Sequence, residues 1–352
     1  MNILILSAGT RNKLVEYYKK ELNGNGKVIV TDCNPLAPTL YIADKYYIVP
    51  RIDDPKYLDI IKNICIDEKI NGMFSLIDPE LSLIAKHKQE FYDIGVIPFI
   101  SEYKIVEMCF DKYKMFKICK SLNIPTVRSY ININEFENDY NNHIINFPVF
   151  VKPYNGSCSI NIQKIDNMSD LQFNMKKYNN LMIQEYMSGN EYGVDVYVDM
   201  ISKEIISIFI KKKLLMRAGE TDKAVSVKND ELFQMIISFV KQVGFVGQID
   251  IDVFEKDGNF YISEVNPRFG GGYPHAYECG CNFPKYMIKN MMGNCNKSEL
   301  GNYDEKIYMM KYLDVLIKKW NDYQNIISIN KLKKVRVLQW KKYVLLLPFQ
   351  EQ

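Results

Sequence analysis

Between Gln248 and Arg268 the chain sets acidic, amide and guanidinium side chains at two-residue intervals. The order is Gln248-Ile249-Asp250-Ile251-Asp252-Val253-Phe254, a turn at Lys256-Asp257-Gly258-Asn259, then Phe260-Tyr261-Ile262-Ser263-Glu264-Val265-Asn266-Pro267-Arg268. An Asp-Gly pair between alternating apolar runs is a hairpin signal, and that hairpin would bring Asp252 close to Glu264. Period-two alternation puts Glu264 and Asn266 on one face of their strand. Two carboxylates and an amide oxygen converging in this way suit Mg2+, a hard cation that completes its shell with phosphates and waters; Mn2+ is the alternative ion. Asp250 faces the same way as Asp252, which leaves the choice of ligand open, and the hairpin length favours Asp252. Arg268 follows on the same face, where its fork of donors fits phosphoryl or acyl-phosphate oxygens.

Two further stretches carry chemistry of a related kind. Phe147-Pro148-Val149-Phe150-Val151-Lys152-Pro153 ends an apolar strand on a lysine that needs an anion, and the following Gly156-Ser157-Cys158-Ser159 supplies backbone N–H groups that would fold over phosphates. In Met182-Ile183-Gln184-Glu185-Tyr186-Met187-Ser188-Gly189-Asn190-Glu191 a strand runs into a hinge. Glu185 and Glu191 would straddle a flat apolar slot, with backbone at Tyr186 and Met187 reading an adenine edge and a carboxylate accepting ribose hydroxyls. Each stretch alone is equally well a plain turn or a two-strand corner.

Together, in this order and preceded by Asp111-Lys112, these elements resemble the ATP-grasp superfamily, most of all its carbamoyl-phosphate-synthase-large-subunit-like and pyrrolysine-biosynthesis-ligase-like members. The resemblance implies that Lys112 and Lys152 hold ATP phosphates, that Glu185, Tyr186 and Met187 form the adenine hinge, and that Glu191 binds ribose. It implies Asp252, Glu264 and Asn266 as magnesium ligands. It implies an ADP-forming ligase that joins a small-molecule carboxylate to an amine through an acyl phosphate. The alternative is an ATP-binding regulatory or scaffold protein without catalysis. The complete carbamoyl-phosphate reaction needs two such halves, and this chain has one. Dimers are common among proteins of this kind, so a homodimer is an open expectation.

Residues 211–223 read as a basic strand leading into a polar loop, with Arg217 placed to stabilise transferred phosphoryl charge. The run Phe269-Gly270-Gly271-Gly272-Tyr273-Pro274-His275 would line the substrate cavity, with His275 a candidate proton shuttle. Arg11 and Glu80, in loops after N-terminal strands, are expected to face the same cleft, Arg11 for a substrate carboxylate and Glu80 for an ammonium or hydroxyl. The competing role for Glu80 is to sit at the positive end of the helix that follows.

The elements that must position these groups fall into distinct textures. Over the first hundred residues, strands at Asn2–Leu6, Lys27–Thr31, Tyr46–Val49 and Gly72–Ile77 alternate with helical stretches, which implies a parallel sheet with crossover helices. From Phe110 onward, short strands and glycine turns imply an antiparallel-rich α+β region. The fold class expected is α/β plus α+β: a Rossmann-like parallel sheet before a two-part ATP-grasp domain. The divisions are 1–105, a lid subdomain at 106–190, a C-terminal subdomain with the metal site at 191–315, and a tail at 316–352 of no assigned role. The Ser7–Arg11 loop lacks a full G-x-G-x-x-G fingerprint, so a nicotinamide oxidoreductase finds little support.

Composition sets outer limits. Lys plus Arg is 45 against 42 for Asp plus Glu, a net charge of +3 that argues against holding nucleic acid by bulk charge. Apolar residues at 47% and charged residues at 25% place the chain among ordinary globular proteins. No apolar run approaches the roughly 20 residues of a membrane span, and the N-terminus reads as a strand rather than a signal peptide. The eight scattered cysteines fit reduced thiols in a cytoplasmic protein.

Overall fold

The computed structural model describes residues 1–156 and 163–319. Three sheets follow one another along the chain. The first contains β1 (Asn2–Leu6), β2 (Lys27–Asp32), β3 (Lys45–Ile48), β4 (Ile70–Ser75) and β5 (Ile97–Pro98) in the order β3-β2-β1-β4-β5, all parallel. Parallel pairing of consecutive strands needs a crossover, supplied by the helices Asn12–Leu22 and Tyr57–Asp67. The order reverses beside β1, so the loops at the carboxyl ends of β1 and β4 open onto the crevice where such sheets bind ligands.

The second sheet is antiparallel and small: β6 (Ser129–Tyr130), β7 (Val149–Pro153), β8 (Gln163–Ile165) and β9 (Leu181–Glu185), in the order β6-β9-β7-β8. Helices Ile133–Asn141 and Met168–Lys177 pack on it through Phe136 and Leu171, making a separate core with Val149, Val151 and Ile183. The third sheet holds β10 (Asn190–Val198), β11 (Ile205–Arg217), β12 (Glu220–Ser226), β13 (Gly247–Lys256), β14 (Asn259–Asn266) and β15 (Tyr308–Met310), antiparallel in the order β14-β13-β10-β11-β12-β15. Its apolar face is covered by the helices Asp230–Val243 and Phe283–Met291. One continuous core joins the first and third sheets, running from Ile3, Ile5 and Tyr18 to Val194, Ile249 and Met287. Tyr18 donates its hydroxyl to Met287 Sδ.

The expected strands and helices are present, with ends shifted by one or two residues. The larger departure lies at 211–223. Where a polar loop was expected after the basic strand, Ala218 and Gly219 make a left-handed turn and β12 returns along β11. Among the described residues no helix is long and apolar enough to cross a membrane. Ser157, Ser159 and tail residues 320–352 lie outside the described residues.

Candidate active site

Residues directly opposite in an antiparallel ladder share a face, and the registers of the third sheet put eight polar side chains on one side. Glu191 and Asp195 come from β10, Lys211 and Lys213 from β11, Asp250 and Asp252 from β13, and Glu264 and Asn266 from β14. Asp252 stands opposite Glu264, and Asp250 opposite Asn266. The turn that aligns them has Asp257 and Gly258 both at positive φ, as the Asp-Gly signal requires. Gly193 lies in the middle of this face. A Cβ there would come within 3.0 Å of Lys211 Cε and 3.3 Å of Lys213 Cε, so the missing side chain is the space the two lysines occupy.

The charges are arranged as two units. Lys213 Nζ donates to Glu191 at 2.7 Å and to Asp252 at 2.6 Å, with its own side chain 4% exposed. Burial works against its charge, but the Asp252 and Glu191 carboxylates outweigh it and hold the ammonium pKa above its usual value. Lys211 and Asp195 form an ion pair buried beneath the sheet face. Asp250 is pushed up to about 7 by burial and by the neighbouring charges of Asp252 and Asp195.

The second sheet faces this cluster. Lys152, on β7, is buried, and among the described residues it has no hydrogen-bond or ion-pair partner. Desolvation lowers its pKa; the Glu264 carboxylate acts in the opposite direction, and the Lys112 ammonium adds to the lowering. Lys112 opens the helix Lys112–Ser121, which Asp111 caps through the N–H groups of Tyr113 and Lys114. Its ammonium donates to Gly156 O at 2.6 Å and lies 3.9 Å from Glu264. The hinge from β9 to β10 carries Glu185, paired with Lys256 at 2.7 Å, then Tyr186, 5.4 Å from the Phe150 ring, and buried Met187. Gly189 in this hinge presses on the β13–β14 hairpin so closely that a Cβ would fall 1.6 Å from Glu255 O.

Two expected groups, Arg217 and Glu80, lie elsewhere. Arg217 is four residues beyond Lys213, about 13 Å along the strand; its side chain is 60% exposed and pairs with Asp222 at 3.2 Å. The extended β11–β12 hairpin carries it away from the cluster, and Lys211 and Lys213 are the β11 cations on that face. Glu80 does not face the cleft: it is fully buried and accepts from Tyr57 and Ser75 at the start of the helix Asp78–Lys86. Burial raises its pKa, and the hydroxyl donors oppose that rise. Arg268 is held by Asp78 of that same helix at 2.9 Å, which ties the end of β14 to the carboxyl end of β4. Arg11 pairs with Glu220 at 2.8 Å, and His275 is buried with Nε2 on Ile307 O at 2.9 Å. The Ser7–Arg11 loop is already satisfied, since Asp32 accepts the Gly9 N–H at 2.8 Å where a dinucleotide phosphate would have to sit.

Residues 3–99 match the family model of the PylC-like N-terminal domain, and residues 109–272 match that of the ATP-grasp domain. The chain belongs to the ATP-grasp superfamily. Among curated relatives of this ATP-grasp chain is the alpha-aminoadipate–LysW ligase LysX of Saccharolobus solfataricus, 27% identical over 48% of the chain and 65% of the relative. Another is D-alanine–D-alanine ligase B of Clostridium perfringens, 28% identical over 70% of the chain and 90% of the relative. The chain spans only 24% of a carbamoyl phosphate synthase large chain of Clostridium botulinum. Its fold is that of the biotin carboxylase domain of Hydrogenobacter thermophilus 2-oxoglutarate carboxylase, solved with MgADP and bicarbonate, at a TM-score of 0.70 and 16% identity over 87% of the chain and 73% of that structure. It is also that of an L-amino acid ligase from Bacillus licheniformis, at 0.64 and 18% over 84% and 75%.

A divalent cation fits the ATP-grasp cluster by two observations. Asp252 stands opposite Glu264, with Asn266 two residues further along the same face, and the Lys213 ammonium already stands on Asp252 as a cation would. No group of three or more His, Cys, Asp or Glu could hold a metal by itself among the described residues. The donor set is two carboxylates and an amide, which phosphate oxygens would complete.

Proposed function

We propose that this ATP-grasp chain is an ATP- and Mg2+-dependent ligase that joins a carboxylate to an amine and releases ADP and phosphate. The observation that carries the reading is the convergence of Asp252, Glu264 and Asn266 with three buried or nearly buried lysines, Lys112, Lys152 and Lys213, beneath the Glu185–Glu191 hinge. Adenine would lie against Tyr186 and Met187, and Glu191 would accept from the ribose. A substrate carboxylate oxygen attacks the γ-phosphorus, the bond to the β,γ-bridging oxygen breaks, and ADP carries away that electron pair. The amine then attacks the acyl carbon of the resulting acyl phosphate, losing a proton as inorganic phosphate departs. Lys112, Lys152 and Lys213 neutralise the phosphate oxygens through both steps, and Arg268, oriented by Asp78, is placed to do so at the transferred group. Asp252, Glu264 and Asn266 would hold Mg2+, or Mn2+, whose positive charge would be supplied against the phosphates. The purely nucleotide-binding alternative gains nothing from so complete a set of oxygen donors and cations.

The test is ADP production in a screen of amino acids and sugar acids, singly and in pairs. Lys152→Ala and Glu264→Ala are each expected to abolish ADP release. Retained turnover in either variant overturns the assignment. Nucleotide binding by calorimetry without acceptor-dependent ADP production across the panel supports the regulatory alternative.

A further inference from the structure

β15 closes one side of the third sheet, and its outer side carries no further strand among the described residues. The hydrogen bonds to β12 show which groups are left over. Lys311 N donates to Asp222 O at 2.9 Å, and Ser226 N donates to Ile307 O at 2.9 Å, so residues 307, 309 and 311 face β12. Tyr308 and Met310, between them, turn their N–H and C=O groups outward, where no backbone partner meets them among the described residues. An open edge of this kind templates another strand unless charge, proline or a covering element blunts it. This edge bears large apolar side chains instead. Tyr308 is 63% exposed, Met310 66% and Tyr312 79%, and alternation puts all three on one face.

The order of residues along the edge says what fits it. Lys306-Ile307-Tyr308-Met309-Met310-Lys311-Tyr312-Leu313-Asp314 is close to a palindrome of residue types about Met310. An antiparallel copy of the run, centred on that methionine, sets Tyr308 opposite Tyr312, Ile307 opposite Leu313 and Lys306 opposite Asp314. Met309 then faces Lys311, whose ammonium is already engaged by Glu220 at 2.7 Å. Moving the axis to Lys311 would set that lysine against itself, and like charges directly opposite are unfavourable. Lys306 sits in a left-handed bulge where two residues meet Ser226, and its exposed side chain makes only a long 3.9 Å contact with Glu305. Its ammonium can therefore reach a carboxylate on a facing chain.

We propose that β15 is the contact between two copies of this chain, paired antiparallel across a two-fold axis at Met310 so that their third sheets join edge to edge. Each copy offers the same run, as a two-fold contact requires, and every off-axis pair occurs twice. The outward N–H and C=O groups of Tyr308 and Met310 are satisfied by the partner, and the exposed tyrosines and methionines of the two copies cover one another. Pairing at β15 uses none of the nucleotide-binding groups, so it stands apart from the ligase reading.

The experiment is sedimentation velocity of the full chain over a concentration series, with thermal melts read beside it to report an intact fold. The wild type is expected to sediment with twice the chain mass. Met310→Pro removes an outward N–H without taking a bond from the β12 ladder, and is expected to give a monomer that melts as the wild-type monomer does. Lys306→Asp and Asp314→Lys change exposed positions, and aspartate tolerates the left-handed backbone at 306. Each is expected to weaken association roughly tenfold or more, because symmetry turns two attractive pairs into two repulsive ones. Mixed in equal amounts, the two variants are expected to recover the dimer, since every facing pair again sets an acid against a base. A wild type that stays monomeric at the highest concentration reached, its edge left to another occupant such as residues 320–352, overturns the proposal. So does a dimer that survives Met310→Pro, or one that the mixture fails to restore. If Met310→Pro does not fold, the charge variants and their mixture decide alone.

Discussion

Without the Lys213 ammonium, Glu191 and Asp252 would face each other across Gly193 with no counter-ion between them. Lys213→Met is therefore expected to lower stability by about 2 kcal/mol in urea unfolding, since breaking a buried pair strands its partners, and to cut turnover by at least roughly a hundredfold. A variant that keeps wild-type turnover would remove Lys213 from the phosphate site. His275 gives a pH signature. Its pKa falls from 6.5 to about 4 through burial and then Lys211, so below about pH 6.5 the unfolded chain binds a proton that the fold refuses. Stability is lost as the pH drops from about 6.5 to about 4, by about 1–2 kcal/mol at pH 5. Thermal melts of His275→Gln between pH 7 and 5 are expected to show a shallower loss than the wild type. The shared face of Asp252, Glu264 and Asn266 was legible in the sequence, because period two and a two-residue turn determine a hairpin register. The sequence points to Arg217 within the basic run 211–223; the pairing of β11 with β10 puts Lys211 and Lys213 on the polar face and leaves Arg217 exposed beyond them. Of the two roles the sequence offered Glu80, the structure has it in the first turn of the following helix; its partner Tyr57, 23 residues away, was not readable.

The elements hold these side chains by close backbone approach as much as by contact between side chains. The hinge from β9 to β10 has no room at Gly189, where any Cβ would enter the Glu255 carbonyl. Gly189→Ala is expected to push the hinge off the hairpin and displace Glu185, Tyr186 and Met187, raising the KM for ATP roughly tenfold or more with little change in the melting temperature. A KM that stays put would show that the adenine is read elsewhere. The helix and strand periodicities that announce these elements were plain in the chain. The return strand β12 was not, since Glu220-Thr221-Asp222-Lys223 has the polarity of a loop and becomes a strand because β11 and β15 flank it. Tertiary pairing outweighs local preference at such a position.

On the scale of the molecule, one core binds the first and third sheets together, whereas the second sheet keeps its own small core, nine buried residues among those described, around Phe136 and Leu171. Fewer buried apolar groups mean a lower local opening free energy. Hydrogen exchange is therefore expected to be faster in β7 and β9 than in β1, β4, β10 and β11, with the difference shrinking when an ATP analogue is added. Uniform protection across all three sheets would contradict this.

The second sheet meets the third at a narrow neck. Val127 N donates to Ile262 O at 3.1 Å and Ile262 N donates to Pro125 O at 3.0 Å, so the neck is fastened alongside β14 two residues before Glu264. In mechanical terms this is a fulcrum set next to the metal strand. A rotation of the second sheet about it would shift Lys152 relative to Glu264, which lies two residues from the pivot. A pivot there would let the second sheet move without bending the strand that carries Glu264.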